Sequence, residues 1–143
     1  MYTNSTNAFP IGSSHNMQYV FVAYIHYLNA ILVRTMPSKT NGAMIAAFTD
    51  ILANLNARGY SPTLKVMDNE CSKAIKVHIR SNNMDIHLVP PHNHRVNATK
   101  CAIATFKEHF ISALATVDRN CLVQLLDDFL PQVELTLNLL QLS

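Results

Sequence analysis

The chain is short of several things at once. Of its 143 residues only three are glycine and six proline, tryptophan is absent, and charged residues make up 14%. So little Gly and Pro excludes a collagenous repeat or a flexible linker. So few charges, beside 49% hydrophobic residues, exclude a disordered tail. No uncharged apolar run reaches the ~18 residues that a membrane-spanning helix needs. The start, Met1-Tyr2-Thr3-Asn4-Ser5-Thr6-Asn7, lacks a basic-then-apolar leader. The reading is one domain over residues 1–143, soluble and intracellular.

Three cysteines, Cys71, Cys101 and Cys121, stand far apart with no C-x-x-C spacing. That argues against a disulfide framework and a Cys-based zinc site, and leaves free buried thiols as the expectation. Charge is uneven along the chain. Residues 65–109 carry seven cations (Lys65, Lys73, Lys76, Arg80, Arg95, Lys100, Lys107) against four anions, whereas residues 110–143 carry one cation against four. The middle is the place to look for a polyanion, as a surface of those seven cations; a merely solvated helix face is the plainer alternative.

Periodicity gives an alternating order of elements. Residues 1–18 read as polar and turn-rich. Tyr19–Ile25 and Ala30–Met36 are two β-branched and aromatic runs, close enough to form an antiparallel pair. Met44, Ala47, Phe48, Ile51 and Leu55 recur at helical spacing, and Gly59 sits where that helix should stop. A strand over 63–67 ends at Asp68, a helix follows from about Glu70 to Arg80, and Ile86–Val89 is a strand cut off by Pro90-Pro91. A helix over about 97–115 places Ile103, Phe106, Phe110 and Leu114 on one face. A last one carries Leu122, Leu125, Leu126, Phe129, Val133, Leu137 and Leu140, kinked at Pro131. Its outermost leucines are expected to lie partly uncovered. Strands alternating with helices imply an α/β sheet covered on both faces. Function in such sheets gathers at strand ends, which singles out Asp68.

Several phrases taken together carry a resemblance. They include Ala8-Phe9-Pro10, Met67-Asp68-Asn69-Glu70, Leu88-Val89-Pro90-Pro91-His92-Asn93-His94-Arg95, Ile103-Ala104-Thr105-Phe106-Lys107-Glu108-His109-Phe110 and Pro131-Gln132-Val133-Glu134-Leu135-Thr136-Leu137-Asn138. The chain resembles the integrase catalytic core of long-terminal-repeat retrotransposons, over nearly its whole length and in the same order. The resemblance implies a ribonuclease H-like three-layer fold, a mixed β-sheet with helices on both faces. It also implies DNA strand transfer: two Asp and one Glu hold Mg²⁺ or Mn²⁺ ions that activate the attacking oxygen and stabilise the leaving one. DNA as partner, homo-oligomers and a nuclear location come with it. His92, His94, Arg95, Asn97 and Lys107 become the expected nucleic-acid contacts. A zinc site at His92-x-His94 is disfavoured, because no third ligand stands near in sequence.

The sequence departs from the pattern at the chemistry. The first family Asp, six residues before the Pro of the Phe-Pro pair, is Asn4 here. The second is matched by Asp68. The Glu, three residues after Asn97, is Lys100. An ammonium ~4 Å from a divalent ion is repelled by roughly 8 kcal/mol at an effective dielectric of ~20. The reading is a degenerate, catalytically inactive copy, with Asp68 the one surviving metal ligand and no tightly bound ion. The alternative is a non-enzymatic remnant of the same fold that binds nucleic acid or itself. Asp68 could equally cap the next helix, with Glu70 a first-turn acid. The first strand appears truncated, which sets up an incomplete sheet edge and low stability.

Overall fold

The computed structural model describes residues 1–8, 13–68, 71–89, 98–116 and 125–141. Five strands, β1 (Tyr2–Ser5), β2 (Tyr19–Ile25), β3 (Ala30–Met36), β4 (Leu64–Asp68) and β5 (Asp85–Val89), form one sheet in the order β3-β2-β1-β4-β5. β1 runs antiparallel to β2 and parallel to β4, so the sheet is mixed. Four helices cover it: α1 (Asn41–Ala57), α2 (Lys73–Ser81), α3 (Ala98–Ala115) and α4 (Leu126–Gln141).

Period-2 alternation sorts the side chains into two cores. Phe21, Ala23, Leu32 and Met36 face α1 and α2, packing on Phe48, Ile51, Ile75 and Ile79. Val20, Val22, Ile31 and Val33 face the opposite layer, against Phe106, Phe110, Leu130, Val133 and Leu137 of α3 and α4. Phe106 and Phe110 stack with ring centroids 5.6 Å apart. β2 is buried on both faces, which explains its unbroken apolar run.

Local chemistry sets the element ends. Asn29, at φ 47°, turns the chain between β2 and β3 after a single 3₁₀ turn. The Thr40 hydroxyl accepts from the Ala43 N–H to start α1. Gly59, at φ +81°, closes that helix in the left-handed region, with the Tyr60 N–H reaching the Leu55 carbonyl.

Four expectations are corrected. A strand occupies Tyr2–Ser5, where the sequence reads as polar turn, and it lies at the centre of the sheet. The sheet edges are β3 and β5, so a short β1 leaves no edge incomplete. α2 starts at Lys73, not at Glu70, with Ser72 as its cap, accepting from the Ile75 N–H at 3.3 Å; Glu70 lies outside the described residues. Cys71 is half-buried and Cys101 exposed, so neither is a core thiol; Cys121 lies outside the described residues. In α4, Leu130 is buried where Phe129 was expected and Phe129 is only half-buried; Leu125, just before the helix, is exposed, while Leu140 is exposed as expected of the outermost leucines. The helix runs on through Pro131.

The outer edge of β3 is closed by side chains. Asn138 accepts from the Ile31 N–H at 2.8 Å and donates to the Ile31 carbonyl at 2.8 Å. Glu134, one turn earlier, accepts from the Val33 N–H at 2.7 Å, and Arg34 donates to the Val33 carbonyl. Positions i and i+4 on a helix face lie about as far apart as i and i+2 on a strand, so one helix face can cap alternate strand residues. Burial pushes the Glu134 carboxyl up, against the opposing pull of the Val33 N–H and Arg34. Asn138→Ala is expected to cost about 1–3 kcal/mol in urea unfolding, because two edge groups lose their partner. It should also promote concentration-dependent association in sedimentation runs. A variant as stable and as monomeric as the parent would show that the cap contributes nothing.

Candidate nucleic-acid interface and strand-end site

The strand-end site is built where β1 meets β4. Tyr2 is level with Val66, and the Val66 N–H donates to the Met1 carbonyl at 2.8 Å. The strands are parallel, so Asn4 and Asp68 each stand two residues further along in the same direction. The register sets their backbones level on neighbouring strands. On its other side Asn4 is paired with Val22. Its Oδ1 accepts from the Ser5 N–H at 2.8 Å. α3 packs over β1 and β2, and Lys100 is exposed in its first turn. The structure therefore places Asn4, Asp68 and α3 at one quarter of the sheet. His92, His94, Arg95 and Asn97 lie outside the described residues. Lys107 is half-buried on α3.

The cations of the middle segment do not share one face. Lys73, Lys76 and Arg80 ride on α2, whose Ile75 and Ile79 pack in one core, while Lys100 and Lys107 ride on α3, whose Phe106 and Phe110 pack in the other. Lys65 is no surface cation at all. It is 1% exposed, with its ammonium 3.5 Å from the Phe48 ring centroid and 5.6 Å from that of Phe21. The sequence did hold the signal: Lys65 shares strand parity with Met67, which is in the core. The ring faces attract an ammonium. Burial outweighs them and lowers the Lys65 pKa from 10.5 to about 7, with the neighbouring Cys71 pulling the other way.

A cavity of about 260 Å³ opens beside Asn4, lined also by Thr3, Ser5, Lys39, Asn41 and Cys71. Burial raises the Cys71 thiol, so it is no ready nucleophile. A second cluster was not anticipated. His15 Nδ1 lies 2.8 Å from Asp127 Oδ2, which also accepts from the Ser13 hydroxyl at 2.9 Å, and Asp128 stands close by. Burial pushes Asp127 up, but the bonds from His15 and Ser13 prevail and hold it below the usual carboxylate range. The bond to Asp127 raises His15. This carboxylate is occupied by an imidazole and a hydroxyl, which tie the segment before β2 to the first turn of α4.

Neither a family model nor a curated protein matches this sequence. Solved structures do. A chain of the simian T-cell lymphotropic virus intasome, determined in complex with PP2A regulatory subunit B56 gamma, superposes with a TM-score of 0.76 at 15% identity. That match covers 94% of this chain and 46% of the other, so this chain spans about half its length. The catalytic core domain of BIV integrase superposes with a TM-score of 0.60 at 12% identity, covering 99% of this chain and 80% of that one. The fold is that of an integrase catalytic core. The ribonuclease H-like architecture and the mixed five-stranded sheet agree with it. Among the described residues, no helix of this integrase-core fold is long and apolar enough to cross a membrane.

Lys65 yields a pH prediction. Between pH 7 and 10.5 the unfolded chain binds a proton that the folded chain does not, so stability rises with pH across that window. Lys65→Met keeps the apolar stem on the rings. It should stabilise the fold near pH 7 by several kcal/mol, with about 5 kcal/mol as the ceiling set by the lowered pKa. The variant should also flatten that slope in denaturation series run at stepped pH. An unchanged slope would mean that Lys65 titrates normally.

Proposed function

We propose that this domain is a nucleic-acid-binding integrase core that has lost strand-transfer chemistry. One observation carries the reading. The positions that the resemblance assigns to three metal carboxylates hold Asn4, Asp68 and Lys100, on β1, at the end of β4 and in the first turn of α3. Their summed charge is zero in place of three negative charges. Divalent hard ions need oxygen anions. Here one carboxylate of three remains, the Asn4 amide oxygen already accepts a backbone N–H, and a lysine stands at the third position. The set does not fit a pair of Mg²⁺ or Mn²⁺ ions, and no catalytic step is derived through them. DNA remains the partner supported by the fold, since the neighbouring solved chain belongs to an intasome. Binding through the scattered cations of α2 and α3 would be sequence-independent and weaken steeply with salt.

Self-association is the second reading. Leu135, Leu139 and Leu140 of α4 are 54%, 61% and 60% exposed, an apolar stripe at helical spacing.

Mn²⁺ calorimetry on the native chain and on the Asn4→Asp/Lys100→Glu variant tests the lost chemistry. Heat of binding is expected from the repaired protein only. Mn²⁺ binding by the native chain, or metal-dependent DNA nicking abolished by Asp68→Ala, would overturn it.

A further inference from the structure

The side-chain cap along β3 has a missing rung. Val20, the partner of Thr35, directs both its backbone groups toward Thr6: its N–H donates to Thr6 Oγ1 at 3.0 Å and its carbonyl accepts from the Thr6 N–H at 2.8 Å. The Val20–Thr35 pair therefore exchanges no hydrogen bonds. The Thr35 N–H and carbonyl point off the free edge, as those of Ile31 and Val33 do. Asn138 meets Ile31, and Glu134 with Arg34 meets Val33. The next turn of α4 offers Leu130 and Pro131, whose side chains have no hydrogen-bonding group.

A cavity of about 460 Å³ opens at that rung, walled by Thr35 of β3, Asn54 and Arg58 at the end of α1, and Asp127, Leu130 and Pro131 of α4. Two of these residues keep a buried oxygen with no partner among the described residues, Asn54 Oδ1 and Asp127 Oδ1. The Asp127 side chain is 10% exposed, and its other oxygen is taken by His15 and Ser13. Orphaned buried acceptors are costly, and three hydrogen-bonding residues around one space mark a site that a donor-bearing guest completes.

We propose that this cavity binds a small molecule carrying a primary carboxamide. The protein supplies the template two strand residues away, where the carboxamide of Asn138 satisfies both the N–H and the carbonyl of Ile31. A second carboxamide at Thr35 accepts from its N–H and donates to its carbonyl. Its remaining N–H is then a donor for Asn54 or Asp127. A carboxylate of the same shape has no donor and meets the charge of Asp127, so it is rejected. The wall carries charges of both signs, Arg34 and Arg58 against Asp127 and Glu134, so a zwitterionic amide of amino-acid type meets a partner for each of its charges.

L-glutamine is the probe and L-glutamate the control, each titrated to millimolar concentration into the ¹⁵N-labelled full chain. Glutamine is expected to shift the backbone amides of Thr35 and Asn54, with glutamate leaving them in place. Asn54→Leu should weaken the response about tenfold, near 1.4 kcal/mol. Asn54→Asp, which keeps an acceptor there, should retain it and guards against a folding artefact. No shift with glutamine, or an equal shift with glutamate, would overturn the proposal and leave the cavity to water. Shifts that follow protein concentration and ignore glutamine would overturn it in favour of a second copy of the chain.

Discussion

Everything in this molecule hangs on a seam four residues long. β1 is the single strand that joins the antiparallel pair β2–β3 to the parallel pair β4–β5. Its backbone bonds go to β2 on one side and to β4 on the other, with the Met1 ammonium donating to the Leu64 carbonyl at 2.8 Å. The core under α1 and α2 spans the seam, taking Phe21 and Ala23 from β2 and Met67 from β4, whereas the core under α3 and α4 is built on β2 and β3. A break at β1 would therefore divide the sheet and split the core that α1 and α2 cover. The same seam brings Asn4 level with Asp68, so the constraint that makes the fold also makes the strand-end site.

The legible part of the sequence was the part written in periodicity. The β2–β3 pair, α1 with its Gly59 stop, and the apolar face of α3 were all visible as runs or repeats. β1 was not, because Tyr2-Thr3-Asn4-Ser5 has the composition of a turn; only burial between two partners makes it a strand. The start of α2 was misplaced because Asp68 and Ser72 are both good capping residues, and local sequence does not choose between them. The substitutions at Asn4 and Lys100 were readable one by one. That Asn4 stands level with Asp68 needed the parallel register of β1 and β4. The Glu134–Asn138 cap was invisible as chemistry, since it joins residues about a hundred positions apart.

Charge is used sparingly inside this fold, and it does different work in each place. Lys65 is held between two rings at the cost of its proton affinity. Glu134 is buried because an edge strand needs an acceptor there, and Arg34 answers it from the next strand position. Asp127 ties a segment before β2 to a helix start. None of these groups is Asn4, Asp68 or Lys100, whose formal charges sum to zero.

The cap on β3 also dictates an order of events during synthesis. The bonds from Ile31 to Asn138 and from Val33 to Glu134 span 107 and 101 residues. A ribosome finishes the β2–β3 hairpin about a hundred residues before it makes α4, so the nascent chain carries an uncovered strand edge over that interval. Contacts this distant also slow folding, because the connecting chain must be ordered first. The hairpin's safety in the interim rests with whatever holds nascent chains apart, and the edge becomes self-protected only once α4 is made.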